Sequence, residues 1–542
     1  MSKAPKRRRD DVRGSGADQR AGHGVGKKKK NKGKSSAGGG VHPGSSNPGK
    51  KTPDANPVKI TTRPPPPYRL SSADTDDESS TAVLMPGDEE YDECVTRAYR
   101  GFHVDSGEVL GKATHDDTRK AFESMTVSGY FQRDVLAAGG TVSPTFVRRT
   151  LVGDTGMTYH YQKLRIFAHP WSDEFTESDS PLRAVRKLNE TLIKRSKVVL
   201  EENKDMRISN GTIDGSNKFN VTLINLMDPV AEANNSDVPL KDEAKYGMGP
   251  TSVSWHSDSS LQNMSTVAVY HTCDELEKKK KPSWHVGLKT LDRVSPALRV
   301  PLPNRATYFM LRDFNLHHHH AVLAGTSKRY SSTHRVAVVE KDTFLYIKGK
   351  AVDAIGALPV LKKYALNAKQ GRSALNKNRD DGEDKNSLAK LTQSIGAIHK
   401  ELEFQWIRMF WLQGQEHADR HSSYWSLRID ELTQAWDTLE LGLRWVLETL
   451  RFGSNVDGPS AKSPPPQQRA YDVMTYIITS IAEERESLAE RMANPAYQKL
   501  SDTQKPVRKP KFDDKSPLPE NLRPVIASLE GWKKRAKEKE RV

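Results

Sequence analysis

The sequence predicts an α+β protein in which a β-sandwich or jelly roll is preceded by a disordered tail and followed by a helical domain. Short strands separated by Gly, Pro and Asn run from Thr141 to Val339, which favours a sandwich or jelly roll over βαβ units. Apolar side chains then recur every three or four residues from Ile429 to Leu450, as in an amphipathic helix. Residues 1–95 are rich in Gly, Ser, Pro and Lys and lack the apolar content of a core. The predicted bounds are a tail at 1–95, a jelly-roll domain at 96–350 and a helical domain at 351–542, with flexible segments at 366–390 and 453–468.

Individual strands are predicted from side-chain alternation and from the turns between them. Thr158–Tyr161 follows a Gly-Asp-Thr-Gly turn, and Phe219–Met227 has the pattern of a buried strand. Asn225 within that buried strand needs a polar partner, either a structural one or a ligand. The other strands are predicted at Val253–Trp255, Ser265–Tyr270, Trp284–Lys289, Thr307–Leu311, His319–Leu323 and Arg329–Val339.

Helices are predicted where apolar residues follow the helical period. A short helical pattern covers Asp117–Met125, and a longer helix covers Ser180–Glu201. The last third contains an aromatic-rich helix at Phe404–Trp411, the amphipathic helix described above and a third helix at Tyr471–Met492. We interpret the aromatic side chains as the core of a helical bundle, so no chemistry is expected there.

The charge of the chain is concentrated near its N-terminus. The formal net charge is +16. Residues 1–70 hold 18 Lys and Arg against 4 Asp and Glu, a net of +14 that leaves only +2 for the other 472 residues. The basic clusters at Lys6–Arg9 and Lys27–Lys34 are predicted to act as nuclear-import signals or nucleic-acid tethers, unless the tail is merely solvated.

The cysteines and the apolar segments of the chain bear on its cellular compartment. The two cysteines, Cys94 and Cys273, cannot form a disulfide framework, which favours a reducing, intracellular environment. Neither an apolar run of membrane-spanning length nor an apolar signal core is visible, so we expect no membrane association.

A candidate metal motif lies at His256-Ser257-Asp258. On an extended segment the side chains of His256 and Asp258 point to the same side, because strand side chains alternate. A later histidine from the run 317–320 completes two imidazoles and a carboxylate, the donor set of non-heme Fe(II) oxygenases. The alternatives are a polar surface pair and adventitious metal binding.

A candidate anion site follows nine residues after that run. Arg329, Ser331, Thr333 and Arg335 are spaced by two, so on a strand they form one face with two cations and two hydroxyl groups. Guanidinium groups pair with carboxylates in bidentate fashion, and this face therefore suits a small dianion such as 2-oxoglutarate. The alternative is an exposed, charged strand face.

A pair of tyrosines is the candidate for base recognition. Tyr159 and Tyr161 fall on one face of a predicted strand. Such a pair can sandwich a nucleobase, or it can simply face the core.

Several longer segments resemble the fat mass and obesity-associated (FTO) family of AlkB-like Fe(II)/2-oxoglutarate dioxygenases. The resemblance covers about residues 95–542 except 366–390. It is carried by Ser252–His256, Val267–Tyr270, Trp284–Gly287, Tyr308–Leu311, Val322–Gly325, Ser331–Val336, Asn220–Pro229 and Glu403–Trp406.

This resemblance implies a double-stranded β-helix that oxidatively removes N-methyl groups from nucleobases, chiefly N6-methyladenosine in RNA, in the nucleus and also in the cytoplasm. It implies Fe(II), 2-oxoglutarate and O₂ as reactants and formaldehyde, succinate and CO₂ as products. The partner is a single-stranded or flipped base in RNA, or in DNA, and we expect a monomer or a weak dimer. The implied iron ligands are His256, Asp258 and His320. The implied 2-oxoglutarate contacts are Asn225, Tyr308, Arg329, Ser331, Thr333 and Arg335. The implied substrate contacts are Arg149, Tyr159, Tyr161, Ser257 and Ser259.

The chain departs from the family in the metal motif, where His-His-Asp-Glu is replaced by His256-Ser257-Asp258-Ser259. Gln162 replaces the leucine that follows the second pocket tyrosine. These changes leave three alternatives open beside N6-methyladenosine: 3-methylthymine or 3-methyluracil in single strands, a protein side chain, and a non-enzymatic RNA-binding scaffold.

Overall fold

The computed structural model describes residues 83–133, 135–138, 141–161, 164–175, 177–203, 217–233, 251–274, 282–323, 325–369, 381–411 and 424–451, with parts of 480–499. Most of the predicted tail, the predicted segment 453–468 and most of the predicted helix Tyr471–Met492 lie outside these residues. No described helix has the length and apolar character needed to span a membrane.

Sixteen strands and ten α-helices are found in the described residues. The strands are β1 Val83–Leu84, β2 Phe102–Asp105, β3 Val135–Ala138, β4 Thr141–Pro144, β5 Arg148–Gly153, β6 Thr158–Tyr161, β7 Leu164–Phe167, β8 His169–Pro170, β9 Val221–Met227, β10 Val253–His256, β11 Val267–Cys273, β12 His285–Thr290, β13 Ala297–Pro301, β14 Thr307–Met310, β15 His318–Leu323 and β16 Arg329–Arg335. The helices are α1 Tyr91–Ala98, α2 Lys112–Val127, α3 Pro181–Glu202, α4 Pro229–Ala233, α5 Phe314–His317, α6 Phe344–Lys369, α7 Asp381–Lys400, α8 Arg408–Trp411, α9 Trp425–Arg451 and α10 Pro495–Gln498, with a π-helix at Glu401–Ile407.

Two sheets form the central part of the molecule. One has the strand order β2-β14-β11-β16-β9-β5-β8 and the other has the order β1-β13-β12-β15-β10. Apolar side chains from both sheets meet in one buried cluster that includes Val269, Tyr308, Val286 and Val322. The sheets therefore pack on each other through a shared apolar core.

The strands from β9 to β16 cross repeatedly between these two sheets. Four of them pair antiparallel in the order β14-β11-β16-β9, and the other four pair antiparallel in the order β13-β12-β15-β10. All consecutive strands from β9 to β16 except β12 and β13 lie in different sheets, so residues at β10 and β15 in one sheet lie against residues of β16 in the other. This arrangement builds the site described below.

The predicted strands of the central region agree with this topology, with shifts of one to four residues at their ends. The strand β13 was not predicted. It begins after Pro296 and ends at Pro301. Prolines usually indicate a turn or an edge strand, because they lack an N–H group. In the fold, Pro301 is the last residue of β13, where a missing ladder donor has little effect.

The helical part is packed around the long helices α6 and α9. Their apolar residues, including Ile347, Leu358, Ile429 and Leu439, form one buried cluster. Both ends of the predicted flexible segment 366–390 are helical, since α6 continues to Lys369 and α7 begins at Asp381. Ala, Leu, Lys and Glu in these stretches favour helix despite their low apolar content. Residues 370–380 lie outside the described residues.

The hairpin β6–β7 is anchored in the helical part. Phe167 packs edge-on against Phe410 and Trp425, with ring centroids 5.3 and 4.9 Å apart. The buried Arg165 donates from Nε to the carbonyl of Gln405 at 2.6 Å and lies 4.0 Å from the ring of Trp406. The helical part therefore supports the hairpin that carries both candidate base-stacking tyrosines.

A buried ion pair joins α3 to the edge of the larger sheet, and it provides a test of the fold. Arg195 donates from Nε and Nη2 to the two carboxylate oxygens of Asp105 at 2.7 and 2.8 Å. Burial alone would raise the pKa of Asp105, but hydrogen bonds from Arg195 and His103 lower it to about 2. A lowered carboxylate pKa contributes stability above the unfolded-state pKa of about 4, and this contribution is lost as the pH falls towards 2.

We therefore expect Asp105→Asn to lower the free energy of unfolding at pH 7 by about 1–3 kcal/mol, because the two short charged contacts are lost and Arg195 keeps its longer contacts to Glu202 at 3.3 and 3.4 Å. The difference from wild type should narrow as the pH is lowered from 5 to 3. Urea unfolding at several pH values measures both effects. A difference that is constant across this range would show that the carboxylate charge does not stabilise the fold.

Candidate metal and cosubstrate site

The metal motif lies where β10 ends. His256, the last residue of β10, is directly opposite His320 of β15, and the two ring centroids are 4.2 Å apart. Asp258 lies two residues beyond the strand, and its Oδ1 is 3.8 Å from Nε2 of His256. One potential ligand atom from each of the three residues lies within 4.8 Å of the others. The fold thus brings together the three predicted ligands.

The structure also distinguishes the members of the histidine run. His317 is about one-third exposed and lies 3.6 Å from Asp313. His318 is buried, stacks on Phe314, and places its ring nitrogens 2.9 and 2.8 Å from the backbone carbonyls of Phe314 and Ala98. His319 is opposite Lys289 in β12. Only His320 among the four belongs to the described metal-ligand group.

Two side chains hold Asp258 in place. Arg335 donates from Nε and Nη2 to its two carboxylate oxygens at 3.0 and 2.7 Å. Asn315 accepts from the backbone N–H of Asp258 and donates to its backbone carbonyl, both at 2.8 Å. Burial alone would raise the pKa of Asp258, but Arg335 and the two histidines hold it well below its usual range. The carboxylate is therefore ionised, as a metal ligand must be.

The orientation of both histidines also suits a metal. Nδ1 of His256 lies 2.8 Å from the carbonyl of Ser254, which can only accept, so Nδ1 donates there and Nε2 is the nitrogen that would bind a metal. Burial and the neighbouring His256 lower the pKa of His320 to about 3, so its ring is neutral. Two imidazoles and one carboxylate fit Fe(II) as the donor set of a 2-His-1-carboxylate site.

The predicted cosubstrate residues line the inner face of the larger sheet. Ser331 is opposite Asn225 of β9, and Thr333 is opposite Val269 of β11, which is in turn opposite Tyr308 of β14. Because side chains alternate along strands, these residues share one face with Arg329 and Arg335. Burial raises the pKa of Tyr308 to about 12, so its hydroxyl remains a hydrogen-bond donor at neutral pH. The face combines cations with neutral donors.

Arg329 is a buried cation whose surroundings suit an anion. Its side chain is fully buried, and no carboxylate of the described residues pairs with it. Its Nε donates to Nδ1 of His271 at 3.2 Å, and its Nη1 donates to the sulfur of Met227 at 3.1 Å. Nη2 is buried and has no hydrogen-bond partner within the described part of the chain. Burial lowers the pKa of Arg329 to about 10, which leaves it charged at neutral pH.

The two arginines of β16 therefore have different roles. Arg335 is already paired with Asp258 and lies 4.9 Å from the ring of Tyr159, whereas Arg329 faces no negative group in the described structure. A buried polar group without a partner needs an explanation, and for a buried cation such as Arg329 an anionic ligand is one that fits. Of the two arginines, Arg329 is therefore the one whose charge has no carboxylate partner among the described residues.

The predicted substrate residues are more dispersed. Arg149 is buried in β5 opposite Asn225, and Tyr159 is buried beneath Arg335. Ser257 donates its hydroxyl to the carbonyl of His318 at 2.9 Å, while Ser259 is exposed and within hydrogen-bonding reach of Tyr159. The side chain of Tyr161 lies outside the described residues. The proposed base contacts of this set stay predictions.

Three further residues of the site were not predicted from the sequence. They are His271 and Met227, which hold Arg329, and Asn315, which holds Asp258. Met227 ends a predicted buried strand and His271 follows one, so their inward direction could have been inferred from strand alternation. Nothing in the local sequence indicates the amide contact of Asn315, because its partner is 57 residues away.

Comparisons with known proteins agree with this geometry. The FTO catalytic domain matches residues 89–338, and the FTO C-terminal domain matches residues 342–531. The alpha-ketoglutarate-dependent dioxygenase FTO of Xenopus laevis is 30% identical over 462 residues, which span 77% of this chain and 86% of that protein. The resemblance found in the sequence motifs is confirmed. The chain belongs to the FTO family, with both the catalytic and the C-terminal domain of that family present.

Proposed function

We propose that this protein is an Fe(II)- and 2-oxoglutarate-dependent dioxygenase that removes N-methyl groups from nucleobases, chiefly from N6-methyladenosine in RNA. The observation that carries the proposal is the combination of the His256, Asp258 and His320 group with the unpaired, buried Arg329 in one site. The family relationship supports the same chemistry, since the relative from Xenopus laevis is named for its dependence on alpha-ketoglutarate.

We also propose that the eight strands β9 to β16 form a double-stranded β-helix. This assignment is supported by the two antiparallel sets of four, β9-β16-β11-β14 and β10-β15-β12-β13. A barrel of this kind has an open mouth that can hold a metal and a small acid between the sheets.

Separate groups of residues in the site would bind the metal and the cosubstrate. His256, Asp258 and His320 would bind iron, with Asn315 and Arg335 fixing the position and charge of Asp258. Arg329 would bind the distal carboxylate of 2-oxoglutarate, and Ser331 and Tyr308 would donate hydrogen bonds to it. When bound, iron and 2-oxoglutarate supply the oxidation of the methyl group by O₂. The buried surroundings exclude water from this reaction.

The substrate is proposed to be a base that has left its stack. The metal group lies where β10 pairs with β15, with Asp258 and His320 buried, and a base within a duplex cannot reach such a site without flipping. We propose that Tyr161 stacks on the base and that Arg149 contacts its edge. Nuclear location and RNA tethering by the basic segments at 6–9 and 27–34 are part of the same proposal.

The test is succinate and formaldehyde formation with Fe(II), 2-oxoglutarate and matched RNA oligonucleotides that carry N6-methyladenosine, 3-methyluridine or no methyl group. Formation of both products, with the highest kcat/KM on N6-methyladenosine, is expected. A preference for 3-methyluridine would identify the alternative substrate. Absence of stimulation by any methylated RNA would contradict the proposed activity, and tight RNA binding without turnover would support the scaffold alternative.

A substitution at position 259 tests how the protein distinguishes one methylated base from another. The family has glutamate where this chain has the exposed Ser259, and a carboxylate can accept hydrogen bonds from a base edge that a serine reaches only weakly or through water. We expect looser discrimination between N6-methyladenosine and 3-methyluridine than in a glutamate-bearing relative. Ser259→Glu should increase the discrimination between the two bases by about 1–3 kcal/mol, the size of a good base-edge contact.

The measurement is the ratio of kcat/KM values for the two methylated oligonucleotides. Ser257→Ala is the matched control, because the hydroxyl of Ser257 is used in a hydrogen bond to the backbone of His318. That variant should leave the ratio unchanged. Equal ratios in wild type and Ser259→Glu would show that position 259 does not contact the base.

A further inference from the structure

The hydrogen bonds around Arg329 point to a residue outside the predicted site. His271 of β11 is buried and lies on the same sheet face as Arg329, diagonally across the β11–β16 pair. Its Nε2 lies 2.6 Å from the backbone carbonyl of Pro303, and its Nδ1 lies 3.2 Å from Nε of Arg329. The imidazole thus connects the β13–β14 turn to the guanidinium group.

The two partners fix the tautomer of this ring. A carbonyl oxygen can only accept, so Nε2 of His271 must carry the proton. Nε of Arg329 can only donate, so Nδ1 must present its lone pair. Burial and the adjacent Arg329 lower the pKa of His271 to about 3, so the neutral form that both contacts require is present at neutral pH.

The support behind His271 is rigid. The backbone N–H of His271 donates to the carbonyl of Ala306, and the side chain of Asn304 in the same turn accepts from the backbone N–H of Cys273 at 3.0 Å. The turn that holds Nε2 of His271 is therefore itself held by β11. A ring fixed at one nitrogen in this way can orient a donor at the other.

We propose that His271 is a positioning residue that aims Arg329 at the distal carboxylate of 2-oxoglutarate, an inference that rests on the function proposed above. His271 occupies Nε of the guanidinium group, and Met227 occupies one N–H of Nη1. The remaining N–H groups lie at the Nη1–Nη2 end of the fork, where they can bind a carboxylate in bidentate fashion. The cosubstrate would therefore be recognised by a guanidinium group held in one orientation.

Two substitutions at position 271 separate this role from support of the turn. In His271→Asn, the side-chain oxygen occupies the place of Nδ1 and can still accept from Arg329. In His271→Gln, the side-chain amide occupies the place of Nε2 and can still donate to the carbonyl of Pro303, but the acceptor facing Arg329 is lost. His271→Leu removes both contacts.

The experiment measures equilibrium binding of 2-oxoglutarate by calorimetry to the full-length protein loaded with Mn(II), which replaces Fe(II) without turnover. The same titration with 2-oxopentanoate, which lacks the distal carboxylate, reports on binding that does not involve Arg329. We expect His271→Gln and His271→Leu to weaken 2-oxoglutarate binding by roughly 10- to 100-fold, the range typical for loss of an orienting partner. His271→Asn should retain most of the affinity, and 2-oxopentanoate should bind all four proteins alike.

The binding data distinguish a positioning role of His271 from structural support and from failure of the proposed cosubstrate site. Equal weakening of 2-oxoglutarate and 2-oxopentanoate, or a better affinity in His271→Gln than in His271→Asn, would overturn the positioning role in favour of structural support. If wild type binds 2-oxoglutarate no better than 2-oxopentanoate, the proposed cosubstrate site itself fails. Thermal unfolding of each variant checks that the fold persists.

Discussion

Replacing His320 with alanine is expected to abolish demethylation while the protein remains folded. The change removes one of three ligands and leaves an imidazole and a carboxylate, too few donors for the predicted iron site. His320 makes no hydrogen bond through Nδ1 within the described residues, so no buried partner is left unsatisfied by its removal. Metal titration by calorimetry or electron paramagnetic resonance with Mn(II) should show lost affinity in parallel with lost turnover.

The matched control for this prediction is His317→Ala. His317 belongs to the same histidine run but is partly exposed and faces Asp313, so its loss should have little effect on turnover or on metal affinity. His318 is unsuitable as a control, because its buried ring contacts two backbone carbonyls and its loss should destabilise the fold. Full activity in His320→Ala, or equal losses in His320→Ala and His317→Ala, would contradict the assignment of the third ligand.

Replacing Arg329 with alanine is expected to raise the apparent KM for 2-oxoglutarate strongly, with a smaller effect on kcat at saturation. The change leaves the buried carboxylate of the cosubstrate without its cation, a loss of about 2–5 kcal/mol or roughly 30- to several-thousand-fold in affinity. Arg329→Lys should recover only part of this loss, because an ammonium group cannot form the bidentate contact. Initial rates over a range of 2-oxoglutarate concentrations give both constants, and an unchanged KM would rule out Arg329 as the anchor.

The stability of the Arg329 variants provides an independent readout. Burial lowers the pKa of Arg329 to about 10, so the unfolded chain binds the proton more tightly and the charge opposes folding at every pH below about 10. Arg329→Met fills the same space without the charge. We expect its ligand-free form to be at least as stable as wild type, while the stabilisation that 2-oxoglutarate gives to wild type is lost. Lower stability without ligand would instead indicate a structural role for the guanidinium group.

The C-terminal domain affects the site only indirectly in this structure. Its aromatic side chains pack in the bundle core, as the sequence indicated, yet Trp406 and Trp425 also hold Arg165 and Phe167 of the β6–β7 hairpin. The helical domain therefore contributes to the placement of the hairpin that carries Tyr159, and among the described residues none of its side chains belongs to the metal-ligand group. This contribution was not predictable, because an amphipathic pattern shows which face of a helix is buried but not what covers it.

Features that depend on local periodicity could be predicted from the order of the residues alone. Alternation identified β9, β10, β15 and β16 and placed Arg329, Ser331, Thr333 and Arg335 on one face, since the direction of strand side chains repeats every two residues. The motif residues His256 and Asp258 were found in the same way, although the strand ends at His256 and Asp258 lies beyond it.

Which of these groups lie in contact depends on long-range strand pairing. The pairing of Asp258 with Arg335 joins residues 77 apart, and the contact of His271 with Arg329 joins residues 58 apart. Local spacing did not show which histidine of the run 317–320 is the third metal ligand. It also gave Arg329 and Arg335 equivalent positions on one strand face. The crossing of the strands between two sheets made them different, because it placed a carboxylate beside Arg335 and only neutral acceptors beside Arg329. Long-range pairing of this kind depends on which strands become neighbours, and no local period encodes that choice.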